Sequence, residues 1–398
     1  MSLSSQTRVE RVVLIVLDSC GCGSSPDAGR YGDDGANTLF HVCERVGGLA
    51  LSNLAELGLG RVVHLLGTHA VEKTRGAYGR MRETSVGKDT TTGHWELAGL
   101  DVQTAFPTFL HGFPDEMIER FARLVGRPVL GNKPASGTQI LDELGSAHLK
   151  TGGLIVYTSA DSVFQVAAHE EIVPLPELYR ACEIARSLCD EKNISRVIAR
   201  PFVGELGHFR RTYNRRDYAL PPPEQTVLSR LQAAGHEVVG IGKIWDIFAG
   251  HGISKNIHTE GNQDGLQKTL AALSQTADGL IFVNLVDFDM LYGHRRDPNG
   301  YAQALREFDE FLPTLWKQLG PHDLVLLTAD HGNDPTWHGT DHTREDVPLL
   351  AFTTTPPDPE RANLGLRMGF FDVAQTLCDA FALSVWPRGR SILPHLLG

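Results

Sequence analysis

The stretch Leu324-Val325-Leu326-Leu327-Thr328-Ala329-Asp330-His331-Gly332 decides the fold. Four aliphatic residues in a row, bounded closely by turn residues, read as a buried strand. The chain then passes at once into a carboxylate, an imidazole and a glycine. The same pattern occurs twice more: residues 12–17 run into Asp18, and residues 280–286 run into Asp287-Phe288-Asp289. Short apolar runs at 154–157, 238–241 and 349–353 also read as strands. Helical periodicity appears at 227–234, 266–273, 301–319 and 371–381. This alternation predicts an α/β protein with a central, mostly parallel sheet flanked by helices. In open sheets of that kind, ligands bind outside the carboxyl ends of the strands. One Asp after a strand is ordinarily a turn or helix-cap residue. Three of them, two closely followed by His, point at a shared site.

The rest of the composition narrows the function classes. The chain has 398 residues, with 37 Lys and Arg against 48 Asp and Glu, a net charge of −11. That length predicts two or three domains. No basic block occurs, so nucleic acid is not an expected partner. The apolar run at 12–17 is too short for a signal-peptide core or for a membrane span of roughly 20 residues. The six cysteines, at 20, 22, 43, 182, 189 and 378, form no CxxC pair. They read as free buried thiols of a cytoplasmic protein without a membrane partner.

Residues 102–220 interrupt the strand–helix alternation. The interruption includes Gly131-Asn132-Lys133-Pro134-Ala135-Ser136-Gly137 and ends at the triple proline Pro221-Pro222-Pro223. The expected organisation is a discontinuous core, 1–101 and 221–398, with a smaller α/β domain, 102–220, inserted into it.

Histidines gather near the acidic strand ends. His294 follows Asp289 by five residues, His331 follows Asp330 directly, and His342 lies eleven residues further on. With Asp18 this makes three carboxylates and three imidazoles. Such a mixed set suits Mn²⁺, Zn²⁺ or Fe²⁺ better than Mg²⁺ or Ca²⁺. Six ligands suffice for two ions, and paired ions roughly 3.5–4 Å apart are a recurrent device for displacement at phosphorus. A nucleophile is on offer in Gly87-Lys88-Asp89-Thr90-Thr91-Thr92-Gly93-His94-Trp95-Glu96, where metal coordination would activate a threonine hydroxyl. Three threonines in a row also suit a β-strand or a turn. Arg215-Arg216 and Arg295-Arg296 read as solvated surface pairs.

Taken in order, these residues resemble the phosphopentomutase family of the alkaline phosphatase superfamily. The resemblance runs nearly end to end. It includes Val16-Leu17-Asp18-Ser19 with Pro26-Asp27-Ala28, the Gly87–Glu96 block, Asn132-Lys133-Pro134-Ala135-Ser136-Gly137-Thr138, and Tyr157-Thr158-Ser159-Ala160-Asp161-Ser162-Val163-Phe164-Gln165. Arg196-Val197-Ile198-Ala199-Arg200-Pro201-Phe202, Gly242-Lys243-Ile244 and both metal motifs complete it. It departs from many relatives in placing Thr91, not Met, between Thr90 and Thr92, and in having Cys20 and Cys22 in the first glycine loop.

The resemblance implies an alkaline-phosphatase-like core and a cap that contacts substrate. It implies interconversion of ribose 1-phosphate, or 2-deoxyribose 1-phosphate, with the 5-phosphate, as in nucleoside catabolism and salvage. It implies two Mn²⁺, one on Asp18, Asp330 and His331 and the other on Asp289, His294 and His342. Thr90 would be the nucleophile, carried as a phosphothreonine, and the reaction would pass through a pentose bisphosphate. Ser159, Asp161, Arg196, Arg211 and Lys243 would bind substrate. A sugar bisphosphate, ribose 1,5-bisphosphate or glucose 1,6-bisphosphate, would prime the enzyme, expected to be a monomer. The nearest rival is another two-metal phosphomutase or phosphatase of the same superfamily. A dinucleotide-binding oxidoreductase fits poorly: Gly21-Cys22-Gly23 follows a strand, but Pro26 stands where the third glycine belongs.

Overall fold

The computed structural model describes residues 9–159 and 162–397. The chain divides into two compact units, Met1–Thr104 with Pro222–Gly398, and Ala105–Pro221.

The first unit is built on an eight-stranded sheet. Its order is Lys255–Ile257, Glu237–Ile241, Gly279–Leu285, Arg11–Leu17, Asp323–Thr328, Val347–Phe352, Ala77–Arg82 and Asn363–Met368. The first five strands are parallel throughout, Val347–Phe352 is antiparallel to both neighbours, and Asn363–Met368 is again parallel to Ala77–Arg82. The three central strands are buried along almost their whole length. That explains why they read as continuous Val, Ile and Leu runs: a parallel strand covered on both faces has no solvent side to alternate with. Ala77–Arg82 alternates buried and less buried positions and carries two arginines, so it shows no such run.

The helix expected at 301–319 spans Pro298–Gln318. Its start lies earlier because Pro298 supplies a preset first position and the Asp297 side chain accepts from the Gly300 amide. Among the described residues, no helix is long and apolar enough to cross a membrane.

Parallel pairing has one consequence for function. Val16 stands opposite both Asn284 and Thr328 in register. The segments that follow Ile241, Leu285, Leu17 and Thr328 therefore leave from the same edge of the sheet. They carry Lys243, Asp289, Asp18 and Asp330.

The second unit is a mixed sheet ordered Val129–Pro134, Leu154–Thr158, Val163–His169, Arg196–Val203 and Arg210–Arg211, with Arg216–Ala219 also paired to Arg196–Val203. Side chains alternate between its faces. Leu154 and Val156 join Phe164, Val166, Val197 and Ala199 in a core with helices Asp115–Val125 and Leu175–Asp190. Ile155, Tyr157, Ala167 and Phe202 face helix Gln139–Thr151 through Ile140 and Leu141. All six cysteines are free and buried.

Candidate metal centre and nucleophile

The three acidic strand ends converge. Ligand atoms of Asp18, Asp330 and His331 lie within 4.8 Å of one another, and so do those of Asp289, His331 and His342. His331 thus belongs geometrically to both groups. Its Nε2 is 3.6 Å from Asp18 Oδ1 and 3.3 Å from Asp330 Oδ2, and its ring centroid is 4.0 Å from that of His342. His294 completes the second group: its Nε2 stands 3.2 Å from Asp289 Oδ2 and 3.2 Å from His342 Nε2.

Local backbone explains these placements. Phe288–Gly293 forms a wide π-helical turn in which the His294 amide bonds the Asp289 carbonyl at 2.9 Å. A five-residue turn stacks residues 289 and 294 on one side, which an ordinary α-turn would not do. After Asp18 the chain bends sharply, with Ser19 at φ 73°, and its amide donates to Asp330 Oδ1 at 3.0 Å. That tie locks two neighbouring strand ends together.

The electrostatics ask for a cation. Asp18 and Asp330 are fully buried, and Asp18 Oδ1 and Asp330 Oδ2 have no hydrogen-bond partner among the described residues. Burial, with Asp330 and Asp289 close by, pushes Asp18 up to about 7. Against the same burial, His331 and His94 hold Asp330 down to about 2. His331 Nδ1 faces the Gly332 carbonyl at 3.0 Å and His294 Nδ1 faces the Thr340 carbonyl at 2.7 Å. Those nitrogens therefore carry protons, which leaves both Nε2 atoms facing carboxylates and free to serve as metal donors once deprotonated. Lone pairs and carboxylates converging in a buried space suit divalent cations, and the mixed O/N donor set fits them.

The threonine triplet is neither strand nor turn. It opens helix Thr90–Leu97, capped by Asp89, whose Oδ1 accepts from the amides of Thr91 and Thr92. The Thr90 hydroxyl lies 3.2 Å from His331 Nε2. Thr92 Oγ1 donates to Asp89 Oδ2 at 2.6 Å. Lys88 sits between Asp33, at 3.0 Å, and Asp341, at 3.3 Å.

Other residues named from the sequence are placed as follows. Lys243 is half-buried just beyond strand Glu237–Ile241, and its charge acts on Asp18 and Asp287. Within Ala105–Pro221, Ser159 follows strand Leu154–Thr158, Arg196 opens its strand, and Arg211 pairs with Phe202. Asp161 lies outside the described residues. Arg200, on the same strand as Arg196, is lowered by burial and by Arg215 to about 10. Against its own burial, Asp217 is held below the usual carboxylate range by Arg215, Arg196 and Arg200. Three arginines thus act on one aspartate.

Of the two arginine pairs expected at the surface, Arg216 and Arg295 are exposed, whereas Arg215 and Arg296 are partly buried and bonded. Arg215 grips Asp217 with two bonds of 2.6 Å. Arg296 donates to the carbonyls of Gly293, Gly339, Asp334 and Asp341 and to Asn333 Oδ1, so it staples the loops that carry Asp289 and His342. Asn333 in turn donates to Asp289 Oδ1 at 2.7 Å. Cys20 and Cys22 are packing residues: burial raises both thiols, Cys20 meets the Tyr301 hydroxyl at 3.1 Å, and Cys22 donates to the Asp346 carbonyl. A thiolate at either position is therefore disfavoured.

Comparison with known proteins agrees with this centre. The family model described as Metalloenzyme superfamily matches residues 10–385. A protein of Caldanaerobacter subterraneus subsp. tengcongensis named phosphopentomutase is 54% identical over 389 residues, 98% of each chain. One of the same name from Carboxydothermus hydrogenoformans is 54% identical over 94% of this chain and 96% of its own. A third, from Alkaliphilus metalliredigens, is 51% identical over 98% of this chain and 100% of its own. Dependence on a divalent metal follows from the family and the two donor groups together. With more than half its residues shared over nearly full length, the chain belongs to the phosphopentomutase family of the metalloenzyme superfamily.

Proposed function

We propose that this protein interconverts α-D-ribose 1-phosphate, or 2-deoxyribose 1-phosphate, with the corresponding 5-phosphate by phosphoryl exchange at Thr90. The observation that carries the reading is the Thr90 hydroxyl, at the first turn of its helix and 3.2 Å from His331 Nε2 beside the carboxylate–imidazole cluster. The names of the relatives support the substrate class.

In this reading Asp18, Asp330 and His331 hold one Mn²⁺, and Asp289, His294 and His342 hold the other, with His331 within reach of both. When bound, the two ions supply positive charge to the phosphoryl oxygens and lower the pKa of the threonine hydroxyl. The resting protein carries phospho-Thr90. A free hydroxyl of the pentose phosphate attacks that phosphorus, the P–Oγ bond breaks, and the proton of the attacking hydroxyl ends on Thr90. The product is a pentose bisphosphate. After it reorients, Thr90 Oγ attacks the other phosphorus, whose bond to the sugar oxygen breaks; the Thr90 proton ends on that oxygen, and the isomeric monophosphate leaves. Nothing is gained or lost, which defines an isomerase. Asp89 keeps the Thr90 end of the helix capped through both steps.

Arg196 and Arg211, with Ser159, Asp161 and Lys243, are the proposed partners of the sugar phosphate. The arginine excess around Asp217 supports this, since a phosphate monoester carries about −1.5 to −2 charge at neutral pH. A sugar bisphosphate primes Thr90, and the protein acts as a cytoplasmic monomer.

The test is ³¹P NMR of the protein with Mn²⁺, a catalytic amount of glucose 1,6-bisphosphate, and ribose 5-phosphate. The 1-phosphate resonance should appear, 3-phosphoglycerate should remain unchanged, and phosphosite mapping should find phospho-Thr90. Turnover of 3-phosphoglycerate, or release of inorganic phosphate alone, would point instead to another phosphomutase or a phosphatase.

A further inference from the structure

Strand Gly279–Leu285 reads Gly-Leu-Ile-Phe-Val-Asn-Leu, and Asn284 is its only polar side chain. It is 1% exposed. Placing an amide in the middle of a three-layer core is costly unless it is hydrogen-bonded, and a leucine would be the simpler occupant. The register shows what the amide reaches. Asn284 stands opposite Val16, so its side chain leaves the sheet on the face that residue 18 shares with residue 16. Its Nδ2 is 2.9 Å from Asp18 Oδ2 and 3.3 Å from His94 Nε2.

His94 is fully buried one turn along the helix from Thr90. Its Nδ1 is 2.9 Å from the Thr90 carbonyl and 3.1 Å from Asp330 Oδ2. One arrangement of protons satisfies these contacts. Nδ1–H donates to the Thr90 carbonyl and lies within ion-pair distance of Asp330 Oδ2 without bonding it, while Nε2 accepts one amide hydrogen of Asn284 and the other amide hydrogen goes to Asp18. The result is a closed strap: Asp18 to Asn284, Asn284 to His94, His94 to the Thr90 backbone and to Asp330.

We infer that His94 and Asn284 are positioning residues, which fasten the Thr90 end of its helix to the two carboxylates Asp18 and Asp330. The inference rests on the reading of Thr90 as nucleophile and of Asp18 and Asp330 as ligands. Neither side chain faces the reacting atoms. Asn284 engages Asp18 Oδ2, which leaves Oδ1, the atom with no hydrogen-bond partner among the described residues, as the one aimed at a cation. His94 sets where the first turn of the helix sits against the same centre. Partners of this kind, one bond removed from a ligand, typically control metal affinity or activity by roughly 10–100-fold.

The experiment compares the wild-type protein with Asn284→Leu, His94→Phe and His94→Asn. Calorimetric titration of metal-stripped protein with Mn²⁺ alone should show Asn284→Leu binding roughly 10–100-fold more weakly while its metal-free thermal midpoint stays equal or rises. His94→Phe should lower the rate at which glucose 1,6-bisphosphate phosphorylates Thr90 by a similar factor. His94→Asn, which keeps a donor near the Nδ1 position, should recover most of that rate. Unchanged Mn²⁺ affinity in Asn284→Leu together with an unchanged phosphorylation rate in His94→Phe overturns the inference. So does loss of the fold in His94→Phe without any rescue in His94→Asn, since that marks a purely structural role. A wild-type protein that takes no phosphate on Thr90 overturns the reading of the nucleophile instead, and the Mn²⁺ titration still decides the Asn284 arm.

Discussion

Gly93 packs directly onto the main-chain carbonyl of Asp330: a β-carbon at position 93 would fall on that oxygen. The nucleophile helix is thereby seated against the end of the central strand as closely as backbone allows. Alanine is normally the better helix former by about 1 kcal/mol. Gly93→Ala should nevertheless destabilise, by roughly 1–3 kcal/mol, because the collision is with backbone that cannot swing aside. Thermal melts measure the sign directly. A midpoint equal to or above that of the wild type would show that the helix has room to move.

The three hydroxyls of the triplet should separate cleanly. Thr90→Val should abolish mutase turnover by at least about a thousandfold and remove the phosphopeptide, as expected when a nucleophile is lost. Thr91→Val, whose hydroxyl makes no hydrogen bond among the described residues, should keep activity within an order of magnitude. Thr92→Val should cost mainly stability, through its bond to Asp89 Oδ2. Full activity in Thr90→Val, with phosphate still found on the segment, would transfer the role to a neighbour.

The legibility of this centre in the sequence follows from its geometry. Asp18 and Asp330 are readable because each follows an unbroken apolar run, and parallel pairing then brings such ends to one edge. His294 is readable as a histidine near Asp289, but not as its neighbour in space, because that needs the five-residue turn of Phe288–Gly293. Asn284 left a signal, one amide inside a strand otherwise without polar side chains, which pattern reading passes over as tolerable noise. Arg296 left none. Its role depends on a left-handed backbone at φ 56° and on carbonyls from its own turn and from the loop between strands Asp323–Thr328 and Val347–Phe352, none of which local sequence encodes. Strand Ala77–Arg82 escaped for a different reason: its buried positions are Ala77, Gly79 and Met81, too small and sparse an apolar half to register.

Stripping divalent cations should lower the thermal midpoint. Asp18, Asp289 and Asp330 are all at most 3% exposed and crowd one another, so the metal-free protein keeps acidic charge that burial opposes. Ions that bind only the folded chain stabilise it by about 2.7 kcal/mol at a hundred times their dissociation constant. The midpoint should therefore fall in EDTA and climb with Mn²⁺ concentration. A midpoint indifferent to both would count against the entire donor set.

Gly137 offers a probe of phosphate binding inside Ala105–Pro221. A β-carbon there would collide with the Arg211 guanidinium and approach the Tyr157 hydroxyl at 2.8 Å. Gly137→Ala should push Arg211 aside without touching the metal ligands. The expected signature is a KM raised by about tenfold, the order of one lost charged contact, with Mn²⁺ affinity unchanged. Arg211→Ala should produce the same KM, and the double variant should add little to either. Additive losses would mean that the two changes act independently and that Gly137 does not work through Arg211.

The stability of that same unit should depend on pH through His148. His148 is buried, with Nδ1 at 2.6 Å from the Gly153 carbonyl and Nε2 accepting the His169 amide at 2.9 Å. Both ring nitrogens are used, and only the neutral tautomer can use them this way. Burial, with smaller contributions from His169 and Arg127, pushes its pKa below the ordinary histidine value. The sign follows. The unfolded chain takes up a proton near pH 6.5 while the folded chain resists, so protons bind the unfolded state more strongly in that window. The stabilisation is complete above about pH 6.5 and is lost as pH falls through the folded value. His148→Gln removes the titration but not the bulk. Wild type should exceed this variant in thermal midpoint at pH 7, and the gap should narrow steadily toward about pH 5, where other histidines titrate in both proteins and cancel. A gap that stays constant across the range would show that His148 takes up its proton without disturbing the fold.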